Sequence, residues 1–382
     1  MNERDTARTQ RDGETSRTNQ NQPALFVASQ WKLVWWKFRE HKLALISTVL
    51  TLLMYLMAIF AEPLAPYRTD TTQSEFTYGP PMRVHIFDDG RLVRPYVYGL
   101  TQEIEPEALR RVFALDLEYK IPLGLFVHGE PYEFWGLWET DIHLFGPLDS
   151  AEIVRLIGAD ALGRDLLSRI IYGARISLSI GLVGVGISFI LGTLLGGISG
   201  YYGGAVDDVI QRVIEFLRSL PTIPLWMGLA AAIPHNWPSL RIYFSITVLL
   251  SLIGWTGLAR VVRGRFLALR REDFVVCARL DGAKELRVIF RHMVPSFTSH
   301  MIASITLSIP GMIMSETALS FLGLGLQPPL VSWGVLLQGA QNIRAVATAP
   351  WLLTPAIFVI LTVLALNFMG DGLRDAADPY GR

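Results

Sequence analysis

The sequence predicts an all-α transmembrane fold: six membrane-spanning helices, with a small extracytoplasmic insert of mixed structure between the first and the second. Three observations predict it. Hydrophobic residues make up 51% of the 382 positions and mean hydropathy is +0.35, both high for a soluble globular chain. The apolar residues gather into runs long enough to cross a hydrocarbon core about 30 Å thick, which takes roughly 20 helical residues. Charged stretches separate the runs, and one of them, 62–175, is long enough to hold a domain of its own.

Residues 1–22 are almost wholly polar. They cannot bury a core and predict a disordered tail. Residues 23–42 form a pre-membrane segment. In it Trp31-Lys32-Leu33-Val34-Trp35-Trp36-Lys37-Phe38-Arg39 interleaves tryptophans with cations, which suits a helix at headgroup level. The first span is 43–61, uncharged between Lys42 and Glu62. It is longer than a secretory h-region and is preceded by a long polar stretch, so it reads as a span and not as a cleaved signal.

The insert, 62–170, opens with a hairpin signal. Asp88-Asp89-Gly90 lies between Arg83-Val84-His85-Ile86-Phe87 and Leu92-Val93. From Pro122 to Pro147, Gly and Pro punctuate short apolar runs. A small mixed domain with some strands follows, its aromatics Tyr96, Tyr98, Phe126, Tyr132, Phe134, Trp135, Trp138 and Phe145 read as core. The helical core, 171–370, carries five more spans at 176–200, 216–234, 242–259, 298–322 and 350–369, and 371–382 is a polar tail. Gly192, Gly196 and Gly200 recur every fourth position, so they share a face that lets another helix approach closely. Glu316 sits inside the fifth span. A carboxylate facing hydrocarbon is costly, so it is expected to be buried against protein, in a hydrogen-bonding or interface role.

Orientation follows from the basic residues of short loops. The stretch from Arg260 to Arg291 carries nine Lys or Arg, whereas 235–241 and 326–349 carry one each. The loop 260–297 is therefore expected in the cytoplasm with both termini, and the insert outside.

Formal net charge is zero, which suggests no nucleic-acid partner. The only cysteine is Cys277, so an internal disulfide and thiolate metal sites are excluded. The seven histidines are scattered without metal-ligand spacing, and no metal site is expected. The chain has no Gly-x-x-x-x-Gly-Lys-Ser/Thr phosphate loop, no His-Glu-x-x-His and no Gly-x-Ser-x-Gly elbow. No catalytic residues are assigned and no enzyme is expected. Energy for active transport would come from another subunit or from an ion gradient.

The cytoplasmic loop holds the most informative stretch, residues 271–296. It reads as two short amphipathic helices with Asp281-Gly282 as the turn, since glycine supplies backbone angles that other residues resist. Pro295 ends the second helix or begins the next span. A long loop of this form predicts docking into a partner's groove. Ala278 and Ala283 are small enough for close approach, and Lys284, Glu285 and Arg287 are available for polar contacts at the rim.

This loop resembles the EAA motif of the permease subunits of bacterial ABC importers, Glu-Ala-Ala-x3-Gly-x9-Ile-x-Leu-Pro. Ala278, Gly282 and Pro295 match it; Val276, Cys277, His292 and Val294 stand at its other positions. Four more stretches are similar to the dipeptide and oligopeptide permeases of the DppC/OppC type. They are Gly158 to Arg169, Gly200-Tyr201-Tyr202-Gly203-Gly204, Phe321 to Pro329, and Gly370 to Pro379. The insert at 66–157 is larger than the outer loop usual in that branch.

The resemblance implies a MetI-like permease core in a bacterial cytoplasmic (inner) membrane. It implies a second homologous permease, two cytoplasmic ATPases and an extracytoplasmic solute-binding protein as partners. ATP and Mg would be used by the ATPases and no cofactor bound by this chain. The implied activity is peptide import by alternating access, with the loop carrying the ATPase motion; oligosaccharides, opines and nickel are alternative solutes. An ion-driven secondary transporter would favour ionisable groups on several spans and an internal repeat. Only His300, Glu316 and, at a helix end, Arg218 lie within the spans, and no repeat is visible. A membrane-anchored sensor working through its insert would need no docking loop.

Overall fold

The computed structural model describes residues 30–88, 90–105, 110–234 and 236–377. The polar tail 1–22, the start of the pre-membrane segment, Asp89, His235 and the last residues of the C-terminal tail lie outside the described residues. Helix α1 (Gln30–Glu40) breaks at His41 and passes into α2 (Lys42–Ile59), whose first turn is capped by the His41 ring accepting from the Ala44 amide at 3.4 Å. Among the described residues, five helices are long and apolar enough to cross a bilayer: α2, α3 (Leu166–Tyr202), α6 (Ser239–Leu269), α8 (Thr298–Phe321) and α11 (Thr354–Ala377).

Four predicted spans differ in extent from the sequence reading: α6 runs on past 259 to Leu269 and α11 past 369 to Ala377, and two differ more. The second begins ten residues earlier than 176, at Leu166, because Asp165 caps it: its carboxylate accepts the Ser168 amide at 2.7 Å and the Ser168 hydroxyl at 2.6 Å. At 37 residues α3 is about 55 Å long and outreaches the hydrocarbon core. The third predicted span, 216–234, straddles a break. The charged helix α4 (Gly204–Ser219) stops at Leu220, whose backbone is extended before Pro221. The apolar helix α5 (Thr222–Ala231) follows with ten residues, about 15 Å, half a hydrocarbon core. The six apolar segments are thus five long helices and one short one.

α3 lies along α6 with its glycines at the contact. A Cβ at Gly192, Gly196 or Gly200 would come within 3.0, 2.4 and 2.6 Å of the carbonyl oxygens of Trp255, Ala259 and Arg263. α8 packs on α11, and α11 on α2. The core between them is aliphatic, with Ile170, Leu178, Ile180, Ile246, Leu250 and Ile313 fully buried. Two short helices, α9 (Trp333–Gln338) and α10 (Ile343–Thr348), close the insert end before α11.

The insert is a four-stranded antiparallel meander: β1 (His85–Asp88), β2 (Arg91–Glu105), β3 (Arg110–Phe134) and β4 (Trp138–Pro147). β3 serves two partners in succession, β2 from Arg110 to Pro122 and β4 from Leu123 to Phe134. β1 pairs with β2 where the hairpin is predicted, Asp88 opposite Arg91. Met82, Val97, Ile121 and Val154 form its small core. Not all of the aromatics read as core are inside. Tyr96 and Tyr132 are buried, but Phe126, Trp135 and Trp138 are exposed. A single antiparallel layer can cover only one of its faces, so every second side chain must point outward.

Candidate functional site

The loop after α6 has the helix–glycine–helix form. Helix α7 (Asp273–Leu280) ends in a Schellman turn: the Gly282 amide donates to the Arg279 carbonyl at 3.0 Å and the Ala283 amide to the Ala278 carbonyl at 3.1 Å. Gly282 takes φ +78, the left-handed region that side chains resist, and the space beyond its Cα is open. A turn at Glu285–Arg287 follows, then a π-helical turn over Val288–Met293 and a tight turn holding Pro295, which leads into α8.

The loop has two sides. Val275, Ala278, Val288, Ile289 and Met293 pack inward on Val262, Phe266, Phe297, Met301 and Tyr201. Ala278 and Ala283 belong to that inner side, which corrects the expectation that they face a partner's groove. Their small size serves the packing of α7 against its own core. The outer side carries Phe274, Val276, Leu280, Leu286 and Phe290, with Leu280 81% and Leu286 69% exposed. Asp281, Lys284, Arg287 and Arg291 lie exposed beside them. Glu285 already has a partner within the chain, the Tyr202 hydroxyl donating to it at 2.6 Å.

That bond joins the loop to the last residue of α3. The Arg279 guanidinium lies 4.7 Å over the Tyr201 ring. Beyond the α3–α4 turn, Asp207 accepts from Arg263 at 2.5 Å twice and from the Ser199 hydroxyl at 2.5 Å. Arg263 holds the Asp207 carboxyl below the usual range. The loop is therefore joined to the helices in two ways, through Tyr201 and Tyr202 to α3 and directly along the chain to α8.

At the opposite end Glu316 is wholly buried. Its carboxylate accepts from the hydroxyls of Ser332 at 2.7 Å, Ser320 at 2.8 Å and Ser177 at 3.4 Å. Each serine also accepts a backbone amide, from Val335, Leu326 and Trp333 respectively. Glu316 thus ties α3, α8 and α9 together. Nearby, Arg155 is fully buried over the Tyr67 ring at 4.4 Å and lies 3.9 Å from Asp165. Asp160 accepts from Arg164 at 2.8 Å and from Arg169. Burial pushes the Asp165 carboxyl upward against the opposing pull of Arg155.

Sequence reasoning missed Tyr201, Tyr202 and the three serines as members of these sites. The tyrosines' position between Gly200 and Gly203 hints at a tight passage; nothing local marks Ser177, Ser320 or Ser332.

Residues 192–380 match the family of binding-protein-dependent transport system inner membrane components, and 29–81 match the N-terminal transmembrane domain of oligopeptide transport permease C. The oligopeptide transport system permease protein OppC of Haemophilus influenzae is 40% identical over 261 residues, 68% of this chain and 81% of that one. The chain belongs to this permease family. OppC of Bacillus subtilis is 29% identical over 352 residues, 92% of this chain and 90% of its own. A structure of the MetNI methionine ABC transporter aligns with 56% of this chain and 98% of its own at a TM-score of 0.45 and 16% identity. As a binding-protein-dependent permease of the oligopeptide and dipeptide branch, the protein is a multi-pass inner membrane component of an ABC transporter and not an enzyme. Membership implies a partner ATPase and a binding protein. The loop, Glu316, Ser320 and Ser332 fall inside the matched region 192–380, and Ser177 lies before it.

Proposed function

We propose that this permease imports peptides by alternating access, paired with a second homologous permease, two cytoplasmic ATPases that use ATP and Mg, and an extracytoplasmic solute-binding protein. The loop of residues 260–297 and both termini face the cytoplasm, and the insert faces outward toward the binding protein or the partner permease. The observation that carries the coupling role is the exposed apolar side of the loop, Leu280, Leu286 and Phe290, backed by a packed inner side. Exposed side chains of that size in one patch fit a partner's groove. The rigid back lets a displacement at the surface reach α3 and α8. Peptide as solute is supported by the relatives' identity as oligopeptide and dipeptide permeases.

The test is reconstitution of the complete complex with Gly282→Arg, reading ATPase binding, hydrolysis and uptake of labelled peptide together. The side chain enters open space at the docking surface, so the helices should insert and the second permease bind. ATPase docking should weaken, or hydrolysis should run without uptake. Wild-type uptake with the ATPases bound would overturn the coupling role. For orientation, Leu115→Cys on the insert should react with an impermeant thiol reagent in intact cells; labelling only after lysis would invert the topology.

A further inference from the structure

The tip of the β3–β4 hairpin, residues 134–138, stands at the place where α2 leaves the hydrocarbon. α2 runs 18 residues from Lys42, about 27 Å, so Ile59 and Phe60 lie close to one bilayer depth from its charged end. The Trp135 indole donates to the Ile59 carbonyl at 3.0 Å, and the Phe134 ring stacks on Phe60 with centroids 6.1 Å apart. The tip is therefore fastened at the depth of the last turn of α2.

The tip is also two-sided. Phe134 and Trp138 are cross-strand partners with ring centroids 5.3 Å apart. The adjacent pair, Glu133 and Glu139, alternates to the other face of the sheet and borders a cavity of about 600 Å³ that also holds Arg68 and Arg164. On the apolar side, Leu137 is 72% and Trp138 58% exposed. Their patch continues the exposed apolar side of α2, which includes Leu53, Leu56 and Phe60. Aromatic residues concentrate where an apolar ring and a polar edge both find partners, at the boundary between hydrocarbon and headgroups.

The turn itself puts an aromatic where the backbone disfavours one. Trp135 takes φ 52 and Gly136 φ 69. Turns with two positive φ values are built from Asn, Asp and Gly. The bulky residue is held there by its side chain: the indole bond to Ile59, and the Arg175 guanidinium 4.1 Å over the ring. Arg175 is in turn fixed by Glu62 at 2.5 and 2.6 Å and by the carbonyls of Ala58 and Ile59.

We propose that this hairpin tip is a membrane anchor, with Phe134, Leu137 and Trp138 seated among the lipid headgroups of the leaflet on the insert's side and Glu133 and Glu139 turned to water. The occupant of the exposed apolar patch is lipid, because the patch is continuous with the side of a membrane helix and lies at its exit depth. The anchor would hold the sheet in a set orientation over the helices. The inference needs only that α2 spans the bilayer, and stands or falls apart from the peptide and coupling readings.

Site-directed spin labelling tests it. In the full-length chain with Cys277→Ser, purified with its subunits into phosphatidylcholine nanodiscs, a label is placed at Leu137→Cys and, as the control higher on β3, at Leu115→Cys. Collisions with oxygen, which concentrates in lipid, are compared with collisions with a nickel chelate that stays in water. The oxygen-to-nickel ratio should be several-fold higher at 137 than at 115. A ratio at 137 equal to that at 115 would place the tip in water and overturn the anchor. Protection from both reagents would place it against protein and overturn it equally. If Leu137→Cys does not assemble, Trp138→Cys reads the same surface.

Discussion

At the insert end of α3, Asp160 and Asp165 hold Arg155 and Arg169 buried and Arg164 half-buried; at its loop end, Tyr201 packs among the loop's apolar side chains beneath one stacked arginine, and Tyr202 makes one exposed hydrogen bond. The same helix is thus held by buried ion pairs at one end and joined to the loop chiefly by apolar packing at the other. Buried charges are costly to separate, whereas exposed polar contacts contribute little either way. The difference teaches what holds each end: charge pairing at the insert end, and apolar contact with few polar ties at the loop end. The apolar seam between α3 and α6 joins the two, since its glycines put backbone against backbone along the shared length.

The largest effect is expected from Asp160→Ala. It strands Arg164 and Arg169 and removes the acceptor for the Leu162 and Arg164 amides. Removing one partner of a buried ion cluster costs about 3–5 kcal/mol. Thermal unfolding of the purified permease should fall by a matching amount or the variant should fail to accumulate. A near-neutral result would break the contrast between the ends.

Glu316→Leu comes next. Three serine hydroxyls lose their acceptor inside the protein, at roughly 1–3 kcal/mol for each group left unsatisfied. Glu316→Gln keeps a carbonyl acceptor and should cost less. The two variants compared by thermal unfolding separate hydrogen bonding from simple packing. Equal losses would mean that the knot is packing alone.

A smaller effect is expected at Gly282. A side chain in the left-handed region costs roughly 1–2 kcal/mol, and Asn tolerates it best. Gly282→Asn should therefore leave stability and peptide uptake close to wild type, where Gly282→Arg loses uptake. Uptake lost equally in both would assign the defect to backbone strain and not to docking.

The smallest is Tyr202→Phe, which removes only the exposed bond to Glu285. Stability should change by no more than about 0.5 kcal/mol. Peptide taken up per ATP hydrolysed should nevertheless fall, because one of the polar ties between the loop and α3 is gone. An unchanged ratio would leave the Arg279–Tyr201 contact or the direct path into α8 as the working route.

Much of this molecule is legible in its order of residues. Uncharged runs located α2 and α8, and the starts of α6 and α11, to within a few residues, because transfer of a helix into hydrocarbon depends on local composition, whereas α6 and α11 run on through charged residues to Leu269 and Ala377. Asp281-Gly282 marked the loop's turn because a positive φ is a local demand. The start of α3 was misplaced since Arg164, Arg169 and Arg175 look like solvated residues until their carboxylates are known. The third span was drawn through Pro221, although the extended residue that a proline requires before it was the available signal. The β3–β4 turn was unreadable because its first left-handed residue is a tryptophan.

What the sequence determined alone was the set of apolar segments, the helix–glycine–helix form of the loop and the need for Glu316 to avoid lipid. Each depends on the free energy of one residue, or one short stretch, in a given solvent. Tertiary structure decided who satisfies whom. Ser177 reaches Glu316 across 139 positions of chain, and Ser332 across 16. Likewise, packing turned Ala278 inward and left Leu280 and Leu286 at the surface. Those outcomes depend on desolvation and hydrogen-bond geometry among residues that meet only after the helices have packed, so no local stretch of sequence contains them.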